Sequence, residues 1–201
     1  WFRGLRLEVG PGVFIPRLET ELVAEQAIQE ARRLVMSGAC PSVVDLCAGT
    51  GAIALAVASE VPGCRVSAVE LDDAAVVWTR RNVCGSGVEV LVGDALRVPD
   101  DGRRFDVVVT NPPYLRRIDA PSIPDDVTGH EPDFALFSGD DGLDLPLRLI
   151  ERAAELLVPG GLFIMEHDDT QREELMAALA TSYLWEQIED HDDLAGRPRF
   201  V

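Results

Sequence analysis

The stretch VVDLCAGTGAIAL, Val43 to Leu55, decides how the rest of the sequence is read. A β-branched run ends at Asp45. A loop of small residues follows (Cys47, Ala48, Gly49, Thr50, Gly51), and from Ala52 the apolar residues continue as a helix. The order is strand, tight turn, helix. Glycines let the backbone come close to a ligand, and a helix N-terminus offers N–H groups that have no partner within the helix. The same stretch lies in the longest apolar region, Val43 to Ala58. Asp45 and the Gly-Thr-Gly turn divide that region into two elements, so it does not read as a membrane span.

Working outward, the alternation continues. RVSAVEL (Arg65–Leu71) is expected as a strand and DAAVVWTRRNV (Asp73–Val83) as a helix. VEVLVG (Val88–Gly93) and FDVVVTN (Phe105–Asn111) read as strands. GLDLPLRLIERAAELL (Gly142–Leu157) reads as a helix closed by Pro159-Gly160-Gly161, followed by the strand GLFIMEH and the helix QREELMAALAT. LWEQIED (Leu184–Asp190) and RPRFV (Arg197–Val201) read as two closing strands. Upstream, PRLETELVAEQAIQEARRLVM (Pro16–Met36) carries Leu22, Val23, Ala27, Ala31, Leu34 and Val35 at helical spacing, with Thr20 as the expected N-cap. FRGLRLEV and GVFI flank Gly10-Pro11-Gly12 and are expected to form a β-hairpin. The pattern predicts an α/β domain with a mainly parallel, seven-stranded sheet and helices on both faces, preceded by that hairpin. Residues 1–18 are expected as hairpin and entry segment, residues 19–201 as the catalytic domain. Leu115 to Asp141 breaks the rhythm with Pro121, Pro124 and Pro132. A loop of that length in a compact domain is usually functional. It is expected to be mobile and to form part of a substrate surface.

The protein has 201 residues and a net charge of −17. An acidic domain repels phosphate backbones, which counts against nucleic acid as the main partner. The four cysteines (Cys40, Cys47, Cys64, Cys84) have no paired CxxC spacing, so no metal is expected. Free thiols fit a reducing cytoplasm, and no membrane partner is expected. His130, His167 and His191 are scattered and carry no expected catalytic role; GDDGLD reads as a solvated loop, Trp78 and Trp185 as packing.

Three acids fall at successive strand ends: Asp45, Glu70 and Asp94. Glu70 can accept hydrogen bonds from ribose hydroxyls, since ligands bind beyond the carboxyl ends of such strands. Asp94 can accept from an adenine amino group. A dinucleotide would bring a pyrophosphate, which prefers G-x-G-x-x-G and avoids nearby acids. An acid beside the loop suits a cationic amino or sulfonium group, and S-adenosylmethionine has both. D-x-C-x-G-x-G with a strand-end Glu resembles the class I methyltransferase fold, with Cys47 in place of the usual first glycine.

Asn111, Pro112, Pro113 and Tyr114 follow the fourth strand. The amide oxygen of Asn111 and the backbone carbonyl of Pro112 can each accept one N–H of a planar amine or amide. The prolines supply no competing donor, and Tyr114 can cover the flat face of the substrate group. These four are the expected catalytic residues.

FIPRLETE (Phe14–Glu21), NPPY and HEPDFALFSGDDGLD (His130–Asp144) together resemble the HemK/PrmC family of protein glutamine N5-methyltransferases. Leu18 replaces the second proline of that family's P-R-P-[ED]-T-E segment. The resemblance implies S-adenosylmethionine as methyl donor, S-adenosylhomocysteine as product, and the Gly-Gly-Gln glutamine of class 1 release factors as acceptor. It also implies cofactor contacts from Phe14, Pro16, Arg17 and Thr20, from Leu71 beside Glu70, from Ala95 beside Asp94 and from Asn111, and substrate contacts from Glu131 and Pro132. The family's N-terminal helical domain is expected to lie outside this sequence, and the protein is expected to act as a cytoplasmic monomer. Four alternatives compete. An exocyclic amine of DNA or RNA suits the same corner, but the charge opposes it. A ribosomal-protein glutamine is closer. A non-catalytic S-adenosylmethionine binder would not need the intact corner, and a nicotinamide dehydrogenase lacks its phosphate fingerprint.

Overall fold

A computed structural model describes residues 1–122 and 131–201. Five strands form one parallel sheet: β1 (Ser42–Leu46), β2 (Arg65–Glu70), β3 (Glu89–Val92), β4 (Phe105–Thr110) and β5 (Leu157–Met165), in the order β3-β2-β1-β4-β5. The backbone leaves β1 toward β2 and β3, then returns to β4 and β5. The order therefore reverses between β1 and β4, and a crevice opens there beyond the carboxyl ends of the strands.

β1 is buried along its whole length, as expected for a central parallel strand covered on both faces. Its residues alternate between two cores. Val43 joins Val107, Val109 and Ile164 under α1 (Thr20–Met36) and α2 (Ala52–Glu60). Val44 and Leu46 join Val108, Phe163 and Met165 under Leu149, Ile150 and Ala153. The last three lie on a helix spanning Asp144–Leu156. Full burial of a leucine such as Leu149 contributes about 1.5–3 kcal/mol. A helix spanning Asp73–Asn82 is α3; it packs on β2, β3 and α2. The one-turn helix Asp133–Leu136 is α4, Asp144–Leu156 is α5 and Arg172–Thr181 is α6. No described helix is long and apolar enough to cross a membrane.

The structure corrects the strand count. The seven expected strands resolve into the five-stranded sheet and a separate antiparallel pair, β6 (His191–Asp192) with β7 (Pro198–Phe200). LWEQIED does not form a strand: Gln187 has φ +54°, which breaks an extended run, and Trp185 stacks on Phe163 with ring centroids 5.2 Å apart. The last residues run beside β5, where Met165 and Val201 exchange backbone hydrogen bonds of 2.9 and 3.0 Å.

The expected hairpin around Gly10–Gly12 is also absent. Among the described residues, its only β contact is an isolated Phe2–Leu5 bridge. The segment pairs with α3 instead. Asn82 Oδ1 accepts from the Glu8 N–H at 2.7 Å, Asn82 Nδ2 donates to the Glu8 carbonyl at 3.0 Å, and Trp78 Nε1 donates to the Pro11 carbonyl at 3.3 Å. A Cβ at Gly10 would lie 2.3 Å from the Trp78 ring, so glycine is required for this approach. Thr20 is not an N-cap. α1 begins at Thr20 after Glu19, whose carboxylate caps no N–H of the helix, and Thr20 is buried toward the crevice.

The described residues of Leu115–Asp141 include regular structure. A 3-10 turn spans Arg117–Ser122, α4 follows, and Leu115 bridges Phe137 in parallel. Residues 123–130, and with them His130, lie outside the described residues.

Candidate active site

The β1–α2 loop is folded by three residues in the left-handed region: Cys47 (φ +59°), Gly49 (φ +55°) and Gly51 (φ +77°). A Cβ on Gly51 would sit 3.0 Å from Thr79 Cγ2, so α3 packs directly against the turn. Side chains hold the loop's backbone. Glu70 Oε2 accepts from the Gly49 N–H at 2.7 Å, Thr79 Oγ1 donates to the Gly49 carbonyl at 2.6 Å, and Asn82 Nδ2 donates to the Thr50 carbonyl at 2.9 Å. Glu70 Oε1 accepts from the Asp72 N–H at 2.8 Å. Each oxygen keeps a further lone pair for a ligand hydroxyl. Burial raises the Glu70 pKa against the pull of those N–H groups.

Asp45 lies beneath the loop and is almost inaccessible. Its Oδ2 accepts from the Ala54 N–H at 3.1 Å, while Oδ1 has no partner among the described residues. Burial, with the charge of Glu70 as a minor addition, pushes its carboxyl up to about 8. An unpaired buried acceptor of this kind favours a cationic ligand. Asp94 stands at the end of β3, its Oδ1 taken by the Leu96 N–H at 3.0 Å.

On the other side of the crevice, β4 ends in the Asn-Pro-Pro-Tyr corner. Asn111 Nδ2 donates to Thr20 Oγ1 at 3.2 Å, which leaves Oδ1 free to accept. The Tyr114 hydroxyl donates to Glu166 Oε1 at 3.0 Å, and Gln171 Nε2 donates to the Tyr114 carbonyl at 2.9 Å. GDDGLD is solvated at its acids, with Asp140, Asp141 and Asp144 exposed, but Gly142 and Leu143 are buried. Gly142 (φ +78°) packs so closely behind the corner that a Cβ would lie 2.1 Å from the Tyr114 carbonyl oxygen. Backbone bonds from Leu115 to Leu136 (2.8 Å) and from Ser138 to Leu115 (3.0 Å) continue this support.

A roof covers part of the crevice. The buried Glu131 accepts from Arg17 Nη2 at 2.9 and 3.0 Å and from the Ile15 N–H at 3.2 Å. Arg17 also lies 4.8 Å from the Phe14 ring centre. Two distant segments, FIPRLETE and HEPDF, are thereby joined over a cavity of about 390 Å³.

The family model described as Methyltransferase small domain matches residues 22–123. A release factor glutamine methyltransferase from Streptomyces coelicolor is 49% identical over the full length of this protein, which spans 71% of that relative. The chain belongs to the release factor glutamine methyltransferase family. A 4-amino-L-phenylalanine/4-methylamino-L-phenylalanine methyltransferase from Streptomyces pristinaespiralis is 41% identical over 92% of this protein and 64% of its own length. Among solved structures, a ribosomal protein L11 methylase from Lactobacillus delbrueckii subsp. bulgaricus superposes with a TM-score of 0.65 at 21% identity, covering 98% of this protein and 82% of that one. The protein has the class I methyltransferase fold.

In this methyltransferase, the sequence-predicted residues Phe14, Pro16, Arg17, Thr20, Asp45, Cys47, Ala48, Gly49, Thr50, Glu70, Leu71, Asp94, Ala95, Asn111, Pro112, Pro113, Tyr114 and Pro132 all line the one cavity. Gly51 and Glu131 do not. Gly51 supports the loop from behind, and Glu131 anchors the roof. Sequence reasoning missed Glu166. It is 1% exposed, and burial pushes its carboxyl up to about 7. The signal for it was an acid at the end of the buried strand GLFIME. Thr79, Asn82 and Gln171 were also missed, because each acts on backbone that lies far away in sequence. His167 is a satisfied core histidine, bonded to Asp190 Oδ2 and the Asp168 carbonyl at 2.8 Å each. No cluster of potential metal ligands occurs among the described residues.

Proposed function

We propose that this protein transfers a methyl group from S-adenosylmethionine to the side-chain amide nitrogen (N5) of the glutamine in the Gly-Gly-Gln motif of class 1 release factors. The observation that carries the reading is the Asn111 corner facing an acidic, loop-lined cavity across one crevice. The acidic lining, with an unpaired Asp45 oxygen, fits a cationic cofactor and disfavours a phosphate-bearing one. S-adenosylmethionine, when bound, supplies an electrophilic methyl group. Glu70 would hold its ribose, Asp94 the adenine amino group, and the β1–α2 loop with Asp45 its cationic end.

The protein's own residues address the acceptor's weakness. An amide nitrogen is a poor nucleophile because its lone pair is delocalised. Asn111 Oδ1 and the Pro112 carbonyl would each accept one N–H, turning the lone pair toward the methyl group, while Tyr114 covers the flat face. Positioning alone can lower such a barrier by up to ~7–11 kcal/mol. The N–H groups become more acidic as the new N–C bond forms, so these acceptors bind the transition state more tightly than the ground state. One N–H hydrogen then passes as a proton to solvent water.

The relative acting on 4-amino-L-phenylalanine supports a second reading, since an aryl amine also presents two hydrogens on a conjugated nitrogen. Incubation with S-adenosylmethionine and a release factor, followed by peptide mass spectrometry, tests both. The expected result is one added methyl group on the Gly-Gly-Gln glutamine and none when that glutamine is alanine. Turnover of 4-aminophenylalanine with an unmodified release factor would replace the first reading by the second.

A further inference from the structure

Glu166 stands at the end of β5, behind the corner rather than in the cavity lining. The Tyr114 hydroxyl donates to its Oε1 at 3.0 Å, and its Oε2 has no hydrogen-bond partner among the described residues. The Thr20 hydroxyl lies near enough to this carboxyl to favour its charged form, while among the described residues its hydrogen bond is the one its Oγ1 accepts from Asn111 Nδ2 at 3.2 Å. One buried acid therefore lies behind both working side chains of the corner.

A threonine hydroxyl has one hydrogen and two lone pairs, and an asparagine amide can face a neighbour with either its oxygen or its nitrogen. If the Thr20 hydrogen points at Glu166, Thr20 can only accept from Asn111, and the amide must present its nitrogen to Thr20. Its oxygen then faces the crevice. If the Thr20 hydrogen is free, both amide orientations can be satisfied and the corner loses its definition.

We propose that Glu166 is a positioning residue for methyl transfer: ionised, it draws the hydroxyl hydrogens of Thr20 and Tyr114 onto itself, fixing the Asn111 oxygen and the Tyr114 ring toward the acceptor nitrogen. The inference rests on the proposed function only for the identity of that acceptor. Other charged groups act on the pair. The Arg199 guanidinium favours the charged form of Glu166, Glu19 opposes it, and Asp168 adds to the raised Tyr114 pKa. Burial dominates and pushes Glu166 up to about 7. Below that value the protonated acid no longer needs the Thr20 hydrogen, so kcat rises as pH rises through it.

The test is kcat at saturating substrates, from below to above pH 7, with cofactor affinity measured alongside. Wild type is expected to show one rise near that pH. Glu166→Gln is expected to lose roughly 10- to 100-fold in kcat and to lose the rise, with cofactor affinity within about twofold. Thr20→Ser keeps the hydroxyl and should be at least about fivefold more active than Thr20→Val. A folded Glu166→Gln with wild-type kcat, or with the rise intact, overturns the proposal. Should that variant not fold, equal kcat for the two Thr20 variants overturns it. A wild-type protein that binds the cofactor but leaves the release factor unmodified defeats the proposed function instead. Infrared spectroscopy then tests Glu166 alone. A carboxyl C=O band that disappears with rising pH should be absent in Glu166→Gln and shifted in Thr20→Val; a band unmoved by Thr20→Val overturns the network.

Discussion

The two walls of the crevice, which the proposed function assigns to the cofactor and to the acceptor, are built differently. On the cofactor wall, Glu70, Thr79 and Asn82 hold the β1–α2 loop through bonds between residues 21 to 32 positions apart. On the acceptor wall, Asn111–Thr20, Arg17–Glu131, Tyr114–Glu166 and Gln171–Tyr114 join residues 52 to 114 positions apart. The first wall forms once one β–α–β–α unit has folded. The second exists only when the entry segment, the corner, α4, the end of β5 and the start of α6 have all come together. The acceptor wall should therefore respond to substitutions far from the chemistry, while the cofactor wall should respond mainly to its own residues.

The largest expected effect tests whether the corner works in the transition state. Asn111→Ala should cut kcat by about 10²-fold or more, the range seen when one preorganised polar contact to developing charge is removed. Cofactor affinity by calorimetry should change little. Loss of affinity without loss of kcat would move Asn111 to the cofactor wall.

Glu70→Ala is the counterpart on the cofactor wall. It removes the proposed ribose acceptor and the partner of the Gly49 N–H together. A charged hydrogen bond lost from a buried site costs about 1.5–3 kcal/mol, so affinity should fall at least about tenfold. Calorimetry showing unchanged affinity would remove Glu70 from the site.

These two walls also differed in how well the sequence disclosed them. Asp45, the glycine loop, Glu70 and Asp94 were legible because a parallel α/β sheet places the end of every strand at the crevice, so local order is enough. Asn111 to Tyr114 were legible because two adjacent prolines after a buried strand need an explanation. Glu166 was hidden because its partners Tyr114 and Thr20 are brought to it by folding alone. The hairpin was misread for the same reason: Gly10–Gly12 looks like a turn, but its backbone is claimed by Trp78 and Asn82 on α3. The strand count failed at Gln187, whose left-handed backbone no propensity pattern announces.

A smaller effect separates the roof from the wall beneath it. Arg17→Ala would leave Glu131 buried without its cation. Arg17 is partly exposed, so solvent screens the pair, and the expected result is a roughly three- to tenfold rise in KM for the release factor with cofactor affinity less affected. Equal losses of both would show the roof to be part of the cofactor wall.

The acidity of the cofactor wall should be visible in proton exchange. Asp45 has its pKa raised on folding to about 8 from an ordinary value of 3.8, so the fold favours its protonated form. Its contribution to stability is full below the unfolded value and is lost as pH rises toward about 8. Thermal stability of the cofactor-free protein should fall across that interval, and less steeply in Asp45→Asn. A cationic ligand lowers the pKa, so cofactor binding at neutral pH should release part of a proton, measurable by calorimetry in buffers of different ionisation enthalpy. No release, or uptake, would mean that the ligand's charge does not face Asp45.

The smallest expected effect concerns Cys47, which stands in the left-handed region at φ +59°. That conformation costs a residue with a Cβ about 1–2 kcal/mol. Cys47→Gly removes this strain. It also adds backbone freedom to the unfolded state, which opposes the gain by about 0.5–1 kcal/mol, and it removes a thiol packed against the core beneath the loop. The opposing contributions nearly cancel, so stability should stay within about 1 kcal/mol of wild type by denaturant unfolding. Cofactor affinity should also hold, because the loop is fixed at Gly49 and Thr50 by Glu70, Thr79 and Asn82 rather than at residue 47. A clear loss of affinity in Cys47→Gly would show that the thiol itself shapes the cavity, and that the cofactor wall depends on more than its backbone bonds.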